Sequence, residues 1–437
     1  MLHSIDPDQH GPLGEEMASA VSTCVHCGFC LAACPTYQEL GQETASPRGR
    51  IVMMKEVLEN NLSIDDAMPH IDPCLGCLAC EPACPSGVPY RDLISPFRAL
   101  VEPKRKRGWG DRFRRSLAQF TLPYPGRFRA AAMSGKLAKP FAFLVPSSLR
   151  VMLDLLPDSL PPKQTWAAVN PAVGTRRARV ALLTGCAQSV LDPDINTATI
   201  DVLTRNGVEV VVPASQGCCG ALSWHVGNQD AAQSFAKKNL DAFPDDVDAI
   251  VTNAAGCGSG MHEYHLIMKG TPDQDRAESF RHRVVDVSAF LIQLGDLVPI
   301  ADQRTSNAQQ SNDSQQSGSA ATLKVAYHDA CHLANAQGVR VQPRELLQMI
   351  PGVEVIEIAE GHLCCGSAGT YNIEQPEIAT SLGQQKAANV IATGAQVVAS
   401  GNIGCMTQLA IHLRQAGSSI EVKHTMQVLR DAYQSAR

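Results

Sequence analysis

The chain has 437 residues, 44% of them hydrophobic, and is long enough to fold into roughly two or three domains with separate cores. Its formal net charge of -6 and its pI near 6.1 exclude a general nucleic-acid binder. Its 16 cysteines are too sparse for a disulfide-stapled secreted scaffold.

The N-terminal stretch MLHSIDPDQHGPLGEEM has no basic region followed by an apolar segment. It therefore predicts no secretory signal and a location in the reducing cytoplasm. No run in the sequence reaches the ~20 apolar residues that a membrane-spanning helix needs. Any contact with the inner face of the cell membrane would then be peripheral.

Two cysteine runs of identical spacing, each closed by a proline, stand out in the N-terminal region. Both have the pattern CxxCxxCxxxCP, and they comprise Cys24, Cys27, Cys30 and Cys34, then Cys74, Cys77, Cys80 and Cys84. The first three cysteines of such a run lie on a tight turn, where their thiolates converge on one iron cube and backbone N–H groups point at the sulfurs. The spacing predicts two [4Fe-4S] clusters and a protein that moves electrons.

The assignment of the fourth cysteines follows two-cluster ferredoxins, in which each run lends its last cysteine to the other cluster. The predicted ligand sets are Cys24, Cys27, Cys30 and Cys84 for one cluster, and Cys74, Cys77, Cys80 and Cys34 for the other. Structural zinc, which usually takes two separated pairs of ligands, and a disulfide framework are the alternatives. Eight thiols in two groups of four favour the clusters.

Between the runs, SPRGRIVMMKEVLENN predicts a helix with Ser46 as its N-cap and Pro47 in its first position. The apolar residues on one face of this helix are Ile51, Met54, Val57 and Leu58. A helix at this place favours the helical ferredoxin arrangement of respiratory iron–sulfur subunits. Residues 1–100 are therefore predicted to form a helical two-cluster domain.

Residues 101–178 are basic and rich in proline, and predict a helical connector between domains. Its segment KRKRGWGDRFRR, from Lys104 to Arg115, sets basic residues beside Trp109 and Phe113. Such a segment can dock an acidic partner or anionic lipid headgroups. A solvated run of charge is the simpler interpretation.

Two units that repeat one plan follow, over residues 179–300 and 323–437, and a Ser-, Gln- and Asn-rich stretch at 301–322 predicts a flexible linker between them. In the first unit the predicted strands RVALLTG, VEVVVP and AIVTNAAG lead to Cys186, to Cys218, Cys219 and Gly220, and to Cys257. In the second unit KVAYHDA, VEVIEIAE and QVVASGNIG lead to Cys331, to Cys364, Cys365 and Gly366, and to Cys405. Helical segments such as DAAQSFAKKNLDAF and PEIATSLGQQKAANVIA alternate with these strands. The alternation predicts a parallel sheet in each α/β unit.

All eight cysteines of these units follow the carboxyl ends of predicted strands, where open α/β sheets bind ligands. Adjacent cysteines rarely form a disulfide with each other. Four thiols in each unit are enough for a further cluster, and a structural role is the alternative.

Several histidines lie near the cysteines and are candidates for iron ligation or proton relay, although a hydrogen bond to backbone or sulfur is the simpler role. They are His328, His332 and His362, with His225, His262 and His26 as weaker candidates. Neither Asp329 nor Asp286 has a partner that the sequence identifies, so no acid–base pair is predicted.

The residues resemble the iron–sulfur subunit of bacterial glycolate oxidase (glycolate dehydrogenase), within the wider group that carries paired CCG domains. Matching stretches include CVHCGFCLAACPTYQELG, CLGCLACEPACPSGVPY, GCCGALSWH and HLCCGSAGTYNI. The resemblance implies an oxidoreductase complex in which FAD-bearing subunits oxidise glycolate to glyoxylate and this subunit passes the electrons towards a quinone. No GxGxxG motif opens a helix after a strand, in agreement with a flavin site on a separate partner.

One departure from the wider CCG pattern concerns the CxxC that ends each unit. Gly260 and Gln408 replace its second cysteine, so heterodisulfide chemistry is not carried over to this chain. An iron–sulfur subunit of a lactate-utilisation or anaerobic glycerol-3-phosphate dehydrogenase complex is the alternative within the same class. A zinc-binding assembly scaffold is the alternative from another class.

Overall fold

A computed structural model describes residues 1–144, 153, 156–157, 159–300 and 322–435 of the chain. The predicted flexible linker at 301–322 lies outside these described residues except for its last position. The domain boundaries predicted at residues 100, 178, 300 and 322 stay a prediction. Among the described residues, no helix is both long and apolar enough to cross a bilayer.

The N-terminal region is helical, as predicted. Its α-helices are Gly14–Thr23, Pro35–Leu40, Pro47–Leu58, Ile64–Ile71 and Arg91–Val101, with short 3-10 helices at Pro7–Leu13, Glu43–Ala45 and Glu102–Lys104. The helix between the cysteine runs begins where the sequence predicts, because the Ser46 hydroxyl accepts a hydrogen bond from the Gly49 N–H at 3.0 Å. Its predicted apolar face is buried at Ile51, Met54 and Leu58, whereas Val57 is half-buried.

The described part of the connector contains helices Trp109–Thr121 and Pro125–Ala138 and a 3-10 helix at Lys139–Leu144, whereas its later part is not helical and includes the short strand Val169–Asn170. Its basic segment is a solvated run of charge only in part, since Lys104, Lys106 and Arg112 are exposed whereas other arginines are paired. Arg107 contacts the carboxylates of Glu102 and Asp111, each at 2.7 Å. Arg115 reaches both later units, with Glu374 at 2.7 Å and the Val226 carbonyl at 2.8 Å. Arg115, together with Arg107 through Asp72 at 3.5 Å, holds the connector against the rest of the molecule.

Each α/β unit contains one sheet. The strands of the first are β1 Val169–Asn170, β2 Ala178–Leu183, β3 Val208–Val211, β4 Ala249–Thr252 and β5 Val284–Asp286, in the order β1-β3-β2-β4-β5. The strands of the second are β6 Leu323–His328, β7 Val353–Glu357, β8 Val397–Ser400 and β9 Glu421–Lys423, in the order β7-β6-β8-β9. All neighbouring strands are parallel except β1, which runs antiparallel to β3. The predicted parallel sheets are confirmed.

Helices cover the faces of both sheets. In the first unit they are Gln188–Leu191, Asp194–Arg205, Ala221–His225, Gln229–Ala242, Ala255–His262, Tyr264–Ile267, Gln274–Arg281 and Val287–Leu294. In the second they are a π-turn at His332–Ala336 and α-helices Gln342–Gln348, Tyr371–Glu374, Pro376–Ala392, Ile403–Gln415 and Thr425–Ser435. Without β1, the two sheets have the same strand order, with the first strand of each unit lying between its second and third. The carboxyl ends flanking that first strand form the crevice where such sheets bind ligands.

The two units share one continuous core. Val180 and Val210 of the first sheet belong to the same buried cluster as Val325 and Tyr327 of the second. The backbone also joins them, since the Ala255 N–H donates to the carbonyl of Gly401 at 3.0 Å. The paired units therefore form a single packed body.

Acid should weaken this junction through His424, which is 1% exposed. Its Nδ1 accepts from the Met426 N–H at 3.1 Å, so Nε2 carries the proton that bonds the Asn253 carbonyl at 2.9 Å. Burial lowers the pKa of His424 from 6.5 to about 4. Below pH 6.5 the unfolded chain gains a proton that the folded chain excludes. We expect the free energy of unfolding to fall by about 3 kcal/mol between pH 6.5 and 4 from this residue.

Urea unfolding at pH 7.5 and 5.5 checks this expectation. The His424→Gln variant should be less stable than the parent protein at pH 7.5 but should lose less additional stability at pH 5.5, because it lacks the titrating group. An identical pH dependence in the two proteins would contradict the assignment.

Candidate metal centres

The first cysteine run and the end of the second surround one cavity near the surface. Cys24, Cys27, Cys30 and Cys84 line it, and Cys80 forms part of its wall. The cavity has a volume of about 400 Å³, including space open to solvent. We call the four residues Cys24, Cys27, Cys30 and Cys84 the outer site. The structure thus brings the last cysteine of the second run to the first three of the first run.

Tight turns present these thiols, and both runs use the same backbone. In each run, the residues two and four positions after the first cysteine have positive φ angles. In the first run they are His26 at 62° and Gly28 at 89°, and in the second run they are Gly76 at 62° and Leu78 at 57°. The Gly76 N–H points at the Cys74 sulfur at 3.5 Å. The predicted turn, with an N–H directed at sulfur, is therefore present. His26 lies on it facing solvent.

The remaining four cysteines of the runs, Cys34, Cys74, Cys77 and Cys80, form a more enclosed group that we call the inner site. Arg50, which is 1% exposed, places Nη1 3.9 Å from the Cys34 sulfur. Burial raises the pKa of Cys74, but the charges of Arg50 and then Arg98 outweigh burial and bring it below the ordinary value. Burial followed by neighbouring thiols raises the pKa of Cys80 well above its ordinary value. The buried guanidinium partly offsets the negative charge that four thiolates would carry.

The second α/β unit packs directly against the inner site. Cys77 packs in one buried cluster with Cys364, and Cys331 borders that cluster. His332 donates from Nε2 to the Gly76 carbonyl at 2.9 Å, and the Asn335 amide donates to the Cys77 carbonyl at 3.0 Å. The cysteines of the second unit and those of the inner site are therefore neighbours, and His332 has the simpler role, a hydrogen bond to backbone.

Four cysteines converge in each α/β unit. The first CCG site comprises Cys186, Cys218, Cys219 and Cys257, and the second comprises Cys331, Cys364, Cys365 and Cys405. Cys186 and Cys218 have their sulfurs 3.5 Å apart, and Cys219 is hydrogen-bonded to Cys257. In the second site the Cys331 and Cys364 sulfurs are 4.0 Å apart. All are free thiols at the carboxyl ends of strands, as predicted.

Comparison with known proteins gives the same division of the chain. Residues 20–88 match the family described as a 4Fe-4S dicluster domain, and residues 180–262 and 325–410 match the cysteine-rich CCG domain. The chain is 35% identical to a probable glycolate oxidase iron–sulfur subunit of Bacillus subtilis, over 94% of this chain and 93% of that protein. It is also 35% identical to the glycolate oxidase iron–sulfur subunit of Escherichia coli, over 95% of each. The chain belongs to the glycolate oxidase iron–sulfur subunit family.

Membership of this family confirms the resemblance inferred from the cysteine runs and the repeat. It identifies the chain as an iron–sulfur electron-transfer subunit of the oxidoreductase class. A more distant relative, lactate utilization protein A of Oceanobacillus iheyensis, is 28% identical over 57% of this chain and 96% of that protein. The free thiols and turns of the outer and inner sites suit iron–sulfur clusters, because thiolates are the usual ligands of these cofactors.

In this member of the glycolate oxidase iron–sulfur subunit family, the two positions of the missing CxxC cysteines have structural roles. A Cβ atom at Gly260 would lie 2.4 Å from the Cβ of Ala221. Gln408 is buried, and both of its polar side-chain atoms are hydrogen-bonded. Its amide donates to the Ala379 carbonyl at 2.9 Å, and its carbonyl accepts from Asn372 at 2.8 Å. Neither position supplies a ligand to its CCG site.

The other candidate side chains of this family member have structural partners or face solvent. Asp329 pairs with Arg344 at 2.7 Å, and Asp286 caps a helix by accepting from the Ser288 N–H at 2.8 Å. His225 lies 3.9 Å from the buried carboxylate of Glu263. The two other histidines are His262, whose pKa burial lowers to about 4, and His362, which is exposed.

Proposed function

We propose that this chain is the electron-transfer subunit of a flavin-dependent glycolate oxidase. Partner subunits carrying FAD would oxidise glycolate to glyoxylate, and this chain would pass the electrons towards a quinone at the membrane. The observation that supports the proposal is the contact between the cysteine groups: the outer site adjoins the inner site, which adjoins the second CCG site. Family relatives named as glycolate oxidase subunits favour glycolate as the substrate of the complex.

We also infer that the outer and inner sites each hold one [4Fe-4S] cluster. The crossed ligand sets predicted from the sequence are favoured by the position of Cys84 on the outer cavity. Each bound cluster would accept and release one electron at a time. The protein's own contribution is to orient the thiolates on the turns and to place the Arg50 charge beside the inner site.

The surface around the outer site suits exchange of electrons with a partner. Cys27 is exposed, and the neighbouring Val25 and Phe29 are 65% and 67% exposed. The two apolar side chains lie in the same cysteine run as Cys27, on either side of this exposed ligand of the outer site. We infer that the flavoprotein docks here, so that electrons enter at the outer site and leave it for the inner site.

The test is to purify the complex anaerobically and to follow bleaching of its visible absorption with glycolate, D-lactate or glycerol-3-phosphate. Glycolate alone should reduce the centres at a catalytic rate, and Cys77→Ala should block delivery of electrons to quinone. An assembled Cys77→Ala complex that still reduces quinone at the full rate would refute the relay. Reduction by D-lactate in place of glycolate would instead favour a lactate-utilisation complex.

Removing the buried charge beside the inner site should make its cluster harder to reduce. We expect Arg50→Met to shift the reduction potential of that cluster to more negative values, because the guanidinium stabilises the added electron. The variant should also unfold more readily, since Arg50 donates to the His70 carbonyl at 2.8 Å and to the Thr36 hydroxyl at 3.0 Å. Potentiometric titration followed by electron paramagnetic resonance measures the shift.

Arg48→Met is the matched control. Arg48 lies beside the outer site but is partly exposed and paired with Glu43 at 2.7 Å, so its charge is already largely compensated. It should change the potential of the inner cluster far less than Arg50→Met does. Equal shifts in the two variants would contradict the assigned role of Arg50.

A further inference from the structure

His328 is a buried side chain whose polar neighbour is a thiol of the second CCG site, Cys365. The residue is 1% exposed, and no described residue offers either ring nitrogen a hydrogen bond of good geometry, although the ring is close enough to Cys365 to act on its thiol. Leaving a buried polar group unpaired costs about 1–3 kcal/mol. Such a group in a folded protein calls for an explanation, and a bound ion is one of the common ones.

The ring faces the second CCG site. A ring nitrogen of His328 and the sulfurs of Cys365 and Cys405 all lie within 4.8 Å of one another. Ligands bound tetrahedrally at about 2.0–2.3 Å to one metal ion are roughly 3.3–3.8 Å apart, so a shift of at most about 1 Å would bring these three atoms to such separations. The Asn402 amide donates to the Cys405 sulfur at 3.3 Å, which orients that thiol. One imidazole and two thiols thus surround a common point.

The first unit shows that the fold does not need a histidine here. Leu183 ends β2 as His328 ends β6, and each lies three residues before the first cysteine of its unit. The strand register is also the same, because Leu183 is paired with Thr252 and His328 with Ser400. Leu183 is 2% exposed and packs with the cysteines of the first CCG site. In the first unit an apolar side chain therefore fills the position that His328 has in the second unit, so the fold itself does not require a metal-binding side chain there.

We propose that His328 binds iron at the second CCG site through a ring nitrogen, beside Cys365 and Cys405. The second unit would then hold an imidazole- and thiolate-ligated iron–sulfur centre, and any centre in the first unit would have thiolate ligands alone. The inference rests on the proposed function, because it assigns a further centre to the same electron carrier. Since four cysteines are already present, His328 would take the place of one of their thiolates. Exchanging that thiolate for a neutral imidazole removes one negative charge, so the centre beside Cys77 would be easier to reduce.

The test uses the full chain, purified anaerobically with its catalytic partners after growth on histidine labelled with heavy nitrogen. The centres are reduced stepwise, and electron–nuclear double resonance is recorded at each potential. The wild-type protein should show the strong nitrogen coupling of a directly bound imidazole. His328→Leu, which copies the residue of the first unit, should lose this coupling and some iron. His362→Leu, an exposed histidine three residues before Cys365, should keep both.

Absence of nitrogen coupling in the wild-type protein at every potential would overturn the proposal, and that measurement needs no variant to fold. Coupling that survives in His328→Leu would overturn it as well, as would zinc in place of iron at this site. A protein that retains about eight irons with the outer and inner signals intact, but without the coupling, refutes only this inference. A protein without iron refutes the proposed function too.

Discussion

Replacing Cys84 with alanine should remove the cluster of the outer site and leave that of the inner site intact. Cys84 belongs to the second run in sequence, but in the structure it lines the cavity of Cys24, Cys27 and Cys30. A cluster that loses one of four thiolates is expected to be lost or severely labile. Iron content should fall by about four per chain, and electron transfer from the flavoprotein should fall to background.

Double variants make the test of crossed ligation decisive. If Cys27 and Cys84 bind the same cluster, Cys27→Ala and Cys84→Ala together should cost no more iron than either alone, because ligands of one centre act as a unit. Cys77→Ala with Cys84→Ala should instead remove both N-terminal clusters. If each run instead bound its own cluster, Cys27→Ala with Cys84→Ala would remove both clusters, and Cys77→Ala with Cys84→Ala would remove only one. Cys34→Ala provides the matched control, since it should affect only the inner site.

Much of this architecture could be predicted from the sequence, because its signals are local. The six predicted strands are rich in Val, Ile, Leu and Ala, and each is present, although β7 has no fully buried residue. The two predicted helices DAAQSFAKKNLDAF and PEIATSLGQQKAANVIA are found at Gln229–Ala242 and Pro376–Ala392. The strands β1, β5 and β9 were not predicted, because two or three residues are too few to show a periodic pattern.

The contacts between distant segments could not be predicted in this way. Arg115 and Glu374 form an ion pair although they are 259 residues apart in the chain. The basic segment therefore looked like a solvated run of charge, and its partners became visible only in the folded protein. The contact between Cys77 and Cys364 is of the same kind. For His328 a signal did exist: aligning the two units sets it opposite Leu183, which singles out one polar residue in a buried strand.

The glycine of each Cys-Cys-Gly sequence should be essential to its unit, most of all Gly366. Gly220 and Gly366 both have a φ angle of 83°, a left-handed conformation that side chains with a Cβ rarely adopt. At Gly366 a Cβ would also lie 2.6 Å from the Ala379 carbonyl oxygen and 3.0 Å from its Cα. Backbone strain and this overlap together should make Gly366→Ala cost about 2–5 kcal/mol of unfolding free energy.

Gly417→Ala separates the two contributions. Gly417 also belongs to the second unit and has a φ angle of 70°, but no atom lies within 4 Å of the position of its Cβ. This variant should therefore cost only the backbone strain, about 1–2 kcal/mol. Gly220→Ala should fall between the two, because its nearest contact is 3.2 Å. Thermal unfolding of the three variants gives the order of stability, and a Gly366→Ala protein as stable as Gly417→Ala would show that the helix moves aside freely.

The glycine also explains why the two adjacent cysteines can reach one centre. Helix Pro376–Ala392 packs so closely behind Gly366 that the chain must turn immediately after Cys365, and this turn directs Cys364 and Cys365 into the crevice at the strand ends. If alanine forces the turn open, both thiols should become more reactive towards an alkylating reagent in protein stripped of iron. Gly417→Ala should leave their reactivity unchanged, because it lies at the far end of helix Ile403–Gln415.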